Sequence, residues 1–156
     1  LEKIEYIKGD ATYPIGIGNK LIVHICNDIG AWGKGFVLAI SKRWKNPELL
    51  YKEWFKAGVN FELGEVQFVK IESDLFIANM IGQHKIRKSK TEIPIRYKAV
   101  RNCLKKVADF AEGNDFSVHM PRIGCGLAGG KWNEIEPIIK EELINRNIKV
   151  TVYDFE

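Results

Sequence analysis

Cysteine is scarce in this chain of 156 residues, and the three present, Cys26, Cys103 and Cys125, are far apart and outside any CxxC spacing. An odd, scattered set of this kind excludes a disulfide framework and a zinc site, and implies a reducing compartment. Long apolar runs are missing as well. None approaches the roughly 20 residues that cross a bilayer, and no signal-peptide pattern opens the sequence. The cytoplasm is therefore the expected location, with no membrane partner. Disorder is excluded by composition, because 46% of the residues are hydrophobic and 28% are charged. No internal repeat, low-complexity tract or linker interrupts the chain, so a single domain over residues 1–156 is expected.

The surplus of charge is small. A formal net charge of +4 suits an anionic ligand without requiring one. The densest basic run, residues 85–90 with Lys85, Arg87, Lys88 and Lys90, reads first as a solvated loop and leaves nucleic acid as a minor partner only.

Periodicity orders the elements. Residues 4–8 and the β-branched run 20–25, broken by His24, read as strands. The stretch 36–44 lacks any turn signal and predicts a helix starting beside Gly35; Asn46-Pro47 predicts a second, with Asn46 as N-cap. Residues 66–71 and 75–80 form two strands about a turn at 72–74. Apolar positions Val100, Cys103, Leu104, Val107 and Phe110 recur every three or four residues and predict a long helix over about 95–112. A strand at 117–120 follows, then a helix whose capping box, Asn133 to Glu136, puts Pro137 in the first turn, then a strand at 149–153. This order suits an α/β chain with a mixed sheet covered on both faces. In such sheets ligands sit beyond the carboxyl ends of the strands.

Two glycine-rich loops stand at such ends. VHICNDIGAWGKG, residues 23–35, runs from a strand into a helix. Glycines there let the backbone approach a ligand, and the helix N-terminus favours an anion, although a turn needing only positive φ reads the same way. No Gly-Lys-Ser or Gly-Lys-Thr closes the loop, and the GxGxxG spacing of dinucleotide folds is absent. MPRIGCGLAGGKW, residues 120–132, holds glycines 124, 126, 129 and 130 within seven residues, more than a turn requires. Two such loops on two parallel strands would hold the halves of a pyrophosphate between them, which predicts a diphosphate-bridged ligand.

KGDA at 8–11, HICNDIGAWGKG at 24–35, IANMIGQH at 77–84, PRIGCGLAGG at 121–130 and TVYDF at 151–155 together resemble the macrodomain family over nearly the whole chain. More narrowly, they are similar to the bacterial relatives of the terminal ADP-ribose glycohydrolase and of the ADP-ribose 1″-phosphate phosphatase, not to the branch marked by an NAAN motif. The resemblance implies a three-layer α/β/α fold with a mixed, mostly parallel central sheet, and ADP-ribose or an ADP-ribosylated substrate as ligand. No cofactor and no metal are implied. It implies that Asp10 accepts a hydrogen bond from the adenine amine beside the Ala11 amide, and that Asn27 contacts the distal ribose. Gly33, Gly35, Gly124, Cys125, Gly126, Leu127 and Ala128 fall around the phosphates and that ribose. Phe155 is placed to flank the adenine or to cap the last strand, and Trp32 to cover the first loop or pack on its neighbours.

Departures from the family pattern bear on catalysis. Where the glycohydrolase branch has an attacking lysine and an assisting aspartate, Gln83 and Ala128 stand; where another hydrolytic branch has an aspartate before the first-loop helix, Phe36 and Val37 stand. The local candidates are His24 and Asp28, since histidine titrates near neutrality and a carboxylate can orient water. His24 reads equally as a core residue of its strand. His84 is a third candidate, and His119 reads as a strand residue without a chemical role. The expected function is hydrolysis of an ADP-ribose derivative, releasing ADP-ribose from an adduct or phosphate from ADP-ribose 1″-phosphate. The alternative is a non-catalytic reader of free or protein-linked ADP-ribose.

Overall fold

The computed structural model describes residues 3–86, 89 and 91–155, so Arg87, Lys88 and Lys90 of the basic run, and the nucleic-acid reading that rested on them, lie outside the described residues. The chain forms β1 (Glu5–Lys8), β2 (Asn19–Asn27), α1 (Phe36–Arg43), α2 (Asn46–Ala57), β3 (Val66–Glu72), β4 (Leu75–Gln83), α3 (Tyr97–Asn114), β5 (Phe116–Met120), α4 (Trp132–Glu142), a 3-10 turn (Ile144–Arg146) and β6 (Val150–Asp154). These strands make one sheet in the order β1-β6-β5-β2-β4-β3. Every neighbouring pair is parallel except the β3–β4 hairpin, which gives the mixed sheet an antiparallel edge.

Alternation along β2 builds both faces. Leu21 and Val23 join the core under α3 and α4, while Ile22 and Cys26 join a second core with residues of α1 and α2. A strand buried on both sides carries few polar residues, which is why residues 20–25 read as an apolar run. The three- and four-residue spacing in α3 buries Val100, Cys103, Leu104, Val107 and Ala111, and Phe110 stacks on Phe68 with ring centroids 4.3 Å apart. Burying a side chain such as Val100, Leu104 or Val107 stabilises the fold by about 1.5–3 kcal/mol. No helix among the described residues is long and apolar enough to cross a membrane.

The helix starts differ from the sequence expectation. At α2 the N-cap position is Lys45, not Asn46, and no side chain caps the helix. The capping box of α4 does not form either: the helix begins at Trp132 and carries Pro137 in its interior. Tertiary contacts explain the earlier start. Tyr97 takes the Lys131 N–H at 3.0 Å, Trp132 Nε1 donates to the Tyr6 hydroxyl at 3.0 Å, and that hydroxyl donates to Glu136. Glu136 is thus drawn to β1 rather than back to its own helix terminus.

One feature of the topology positions the site. β2 and β5 are parallel neighbours, with Leu21 opposite Val118, yet β2 leads into α1 on one face and β5 into α4 on the other. A crevice opens where adjacent strands send their connections to opposite faces.

Candidate functional site

Both glycine-rich loops line this crevice. Gly35, at φ 85°, is the N-cap of α1; no side chain caps the helix and its first turn holds no acidic residue. Leu38 N–H bonds back to Gly35, whereas the N–H groups of Phe36 and Val37 have no backbone acceptor among the described residues. A helix start in this condition attracts an anion. In the second loop Gly124 is required by the backbone: its φ is 72°, and a Cβ there would lie 2.7 Å from Ile95 Cδ1. Gly126 is different. A Cβ at that position would meet nothing within 4 Å, so packing does not demand glycine, and its bare backbone faces open space.

The crevice has two adjoining lobes. One, of about 210 Å³, lies between Gly35 and the Gly124 to Ala128 backbone. The other, of about 260 Å³, reaches Asn27, Gly33 and Ile86. Ile25, Lys34, Gln83 and Leu127 border both. A larger cavity of about 480 Å³ sits at the opposite ends of β2, β5 and β6, beside Asn19, Phe116 and Lys149, away from both glycine loops.

The anticipated residues fall into distinct groups. Gly33, Gly35, Gly124, Gly126, Leu127, Ala128 and Asn27 line one lobe or the other. Asn27 is largely occupied by its own loop. Its Oδ1 accepts the N–H groups of Ile29 and Ala31 at 3.1 and 3.0 Å, its Nδ2 donates to Ala31 O at 2.8 Å, and the buried Tyr51 hydroxyl donates to it from α2. Cys125 is half-buried, with its thiol pushed up by burial, and borders neither lobe. Asp10 and Phe155 stand together at the ends of the adjacent strands β1 and β6. Asp10 Oδ1 accepts Thr12 N–H at 2.9 Å and Thr12 Oγ1 at 2.8 Å, Ala11 beside it is buried, and Phe155 is 79% exposed.

Of its two readings, Trp32 takes the second, packing on its neighbours, although buried rather than exposed. It does not cover the first loop but packs beneath it, donating from Nε1 to Ser41 at 2.8 Å against His24 and Tyr51, whose rings are each 5.4 Å away. His24 belongs to the same buried layer and forms part of the floor of the first lobe while staying 1% exposed. Its Nε2 lies 2.6 Å from Asn79 Oδ1, and the Asn79 amide is held in that sense because its Nδ2 donates to Pro47 O and Gln67 Oε1. Nε2 therefore carries the proton, and burial lowers the pKa to about 4. Asp28 turns away from both lobes; Oδ2 meets His84 Nδ1 at 2.7 Å and Oδ1 accepts Lys85 N–H at 2.7 Å. His119 bridges the hydroxyls of Ser117 and Tyr153 at 2.8 and 2.7 Å, a closed buried network.

Three groups went unassigned in the sequence. Lys34 borders both lobes and brings a cation to them; the Gly-Lys-Gly run at 33–35 was its signal. Gln83, seen there only as a replaced lysine, has Nε2 fixed on Lys85 O at 2.8 Å, leaving Oε1 as an acceptor at the junction of the lobes. Arg122 borders the first lobe and pairs through two nitrogens with Asp154 at 2.6 and 3.0 Å, linking the lobe to the end of β6. No cluster of three or more metal-ligating side chains occurs among the described residues.

No protein-family model matches the chain. The solved structure of a macrodomain protein from Streptomyces coelicolor is 51% identical and similar at a TM-score of 0.87, covering 97% of this chain and 99% of that one. Among curated proteins, the chain is 32% identical over 97% of its length to the chromodomain-helicase-DNA-binding protein 1-like of Mus musculus, of which it spans only 18%. It is 29% identical over 88% of its length to the ADP-ribose 1″-phosphate phosphatase of Candida albicans, and spans 92% of that protein.

Proposed function

The chain belongs to the macrodomain family, and we propose that its crevice binds ADP-ribose and hydrolyses a bond at the distal ribose of an ADP-ribose derivative. One observation carries this reading: the glycine loops that follow the adjacent parallel strands β2 and β5 line the same lobe, through Gly35 and through Gly124 and Gly126, and Lys34 borders it too. The diphosphate lies between the α1 N-terminus and the Gly124 to Leu127 backbone. Adenine extends toward Asp10, whose second carboxylate oxygen is left to accept its amine, and toward Phe155. The distal ribose occupies the lobe at Asn27 and Gln83. A phosphatase relative that matches nearly end to end supports a hydrolytic role.

Activation of water falls elsewhere than on His24. An imidazole with its Nε2 proton committed to Asn79 and a pKa of about 4 is a weak base, and its place under Trp32 and Phe36 makes it a support for the first loop. Among the described residues, Gln83 Oε1 is a side-chain acceptor left open at the distal lobe and can orient water, and the substrate's own phosphates in the neighbouring lobe are the other candidate.

Binding is tested by melting. At a hundred times its dissociation constant a ligand specific for the native state contributes about 2.7 kcal/mol, or roughly 5–10 °C for a chain of this size. AMP, with one phosphate for two loops, should shift melting less than ADP-ribose, and equal shifts would contradict the two-loop arrangement. Release of ADP-ribose or phosphate from a panel of ADP-ribosyl adducts and ADP-ribose 1″-phosphate tests the hydrolysis. Binding with no release from any of them would make the protein a reader.

A further inference from the structure

We propose that a cavity of about 290 Å³ beside the crevice is a second subsite, taking an anionic group carried on C1″ of the distal ribose, with His84 as its contact and as proton donor to the departing oxygen. The inference rests on the ADP-ribose reading above and concerns the end of the substrate that reading leaves open.

Ile86 borders both this cavity and the distal lobe, so a substituent leaving a sugar bound at Asn27 and Gln83 passes Ile86 into it. Its charged walls are Lys85, Glu92 and Arg96, two cations to one anion, with His84 beside them. Arg96 is fixed in place, its Nη1 donating to the carbonyl oxygens of Ile93, Pro94 and Ile95 at 2.6, 3.1 and 3.0 Å. The turn bearing His84 is fastened at three points: Gln83 Nε2 to Lys85 O at 2.8 Å, Lys85 N–H to Asp28 Oδ1 at 2.7 Å, and His84 N–H to Pro94 O at 2.8 Å. The turn is thus secured without the fourth contact, Asp28 Oδ2 to His84 Nδ1 at 2.7 Å. That contact sets the chemistry of the ring. An ionised carboxylate only accepts, so Nδ1 carries the proton, and Nε2 has no partner among the described residues on a side chain 42% exposed.

The reaction balances with these groups. A water oxygen bonds C1″ as the C1″–O bond breaks, the bonding pair passes to the departing oxygen, and that oxygen takes the proton of His84 Nε2 in its imidazolium form. Asp28 Oδ2 holds Nδ1 and so aims Nε2 of the ring. Afterwards the ring regains a proton from solvent, to which the attacking water has lost one. Asp28 is a positioning residue here, acting through His84.

Affinity and turnover are measured with ADP-ribose, ADP-ribose 1″-phosphate and 1″-O-methyl ADP-ribose, whose 1″ substituent is uncharged. The wild type should bind the phosphate about tenfold or more tightly than the methyl compound, the range of a charge-assisted hydrogen bond. His84→Gln should erase that preference and lower kcat for the phosphate by about 10²–10⁴-fold, leaving ADP-ribose affinity within about twofold. Asp28→Asn still accepts the Lys85 N–H but presents its amide N–H to Nδ1, so it should lower kcat with little change in melting temperature or KM. Equal weakening of all three ligands by His84→Gln, or no preference in the wild type, would reduce the Asp28–His84 pair to a loop fastening and overturn the inference. Failure of the wild type to bind ADP-ribose would instead overturn the reading beneath it.

Discussion

Lowering the pH from 7 to 5 should destabilise this fold through two buried histidines. His24 and His119 are 1% and 2% exposed, and burial lowers the pKa of each to about 4, helped at His119 by Lys20 and Lys149. An unfolded histidine titrates near 6.5. Below that pH the unfolded chain binds two protons that the native state refuses, so stability is intact above 6.5 and is lost as the pH falls toward 4. Between pH 7 and pH 5 the loss is about 2 kcal/mol for each ring, and roughly 3–4 kcal/mol for both. The corresponding fall in melting temperature is roughly 7–15 °C, at ~2–4 °C per kcal/mol. Urea unfolding at pH 7, 6 and 5 measures the slope, and His119→Gln isolates one ring from every other titrating group. That variant should show about half the wild-type contribution of the two histidines. A pH slope for His119→Gln equal to that of the wild type would refute the argument, since the buried ring would then not be the group that resists protonation.

The two glycines of the second loop should separate folding from binding. Gly124→Ala should cost about 1–3 kcal/mol of stability, from its positive φ and the contact with Ile95; Gly126→Glu should fold with nearly wild-type stability yet lose ADP-ribose. Normal affinity in Gly126→Glu, measured by calorimetry, would remove the phosphates from that loop. At the adenine end, Asp10→Asn retains the acceptor that holds Thr12 and turns the other oxygen into a donor. Its ADP-ribose affinity should fall roughly tenfold to a hundredfold at unchanged melting temperature, and an unaltered affinity would show that adenine is not read there.

The element order was legible because its signals are local. Spacing in α3, the apolar run of β2 and the β3–β4 turn each lie within a few residues of one another, and the two glycine loops showed where backbone is left bare. The α4 cap was misread although it is local too. Asn133 and Glu136 have the right spacing, but Tyr6, distant in sequence, takes the Glu136 carboxylate, and the helix starts earlier, where Tyr97 accepts the Lys131 N–H. Trp32 was ambiguous for a similar reason: a tryptophan in a glycine loop gains burial only if Tyr51 of α2 and His24 of β2 are beneath it.

By itself, then, the order of residues determined an α/β chain with two anion-suited loops, since periodicity and backbone freedom are properties of short segments. Only the tertiary structure decided that these loops face one another, because that depends on β5 pairing with β2 across almost a hundred residues of chain, Asn19 opposite Phe116. The states of the histidines were decided in the same way. Asn79, 55 residues from His24, commits its Nε2 proton, and Asp28, 56 residues from His84, leaves the Nε2 of that ring open. Protonation depends on the nearest partner in space, and for these rings that partner is remote in sequence.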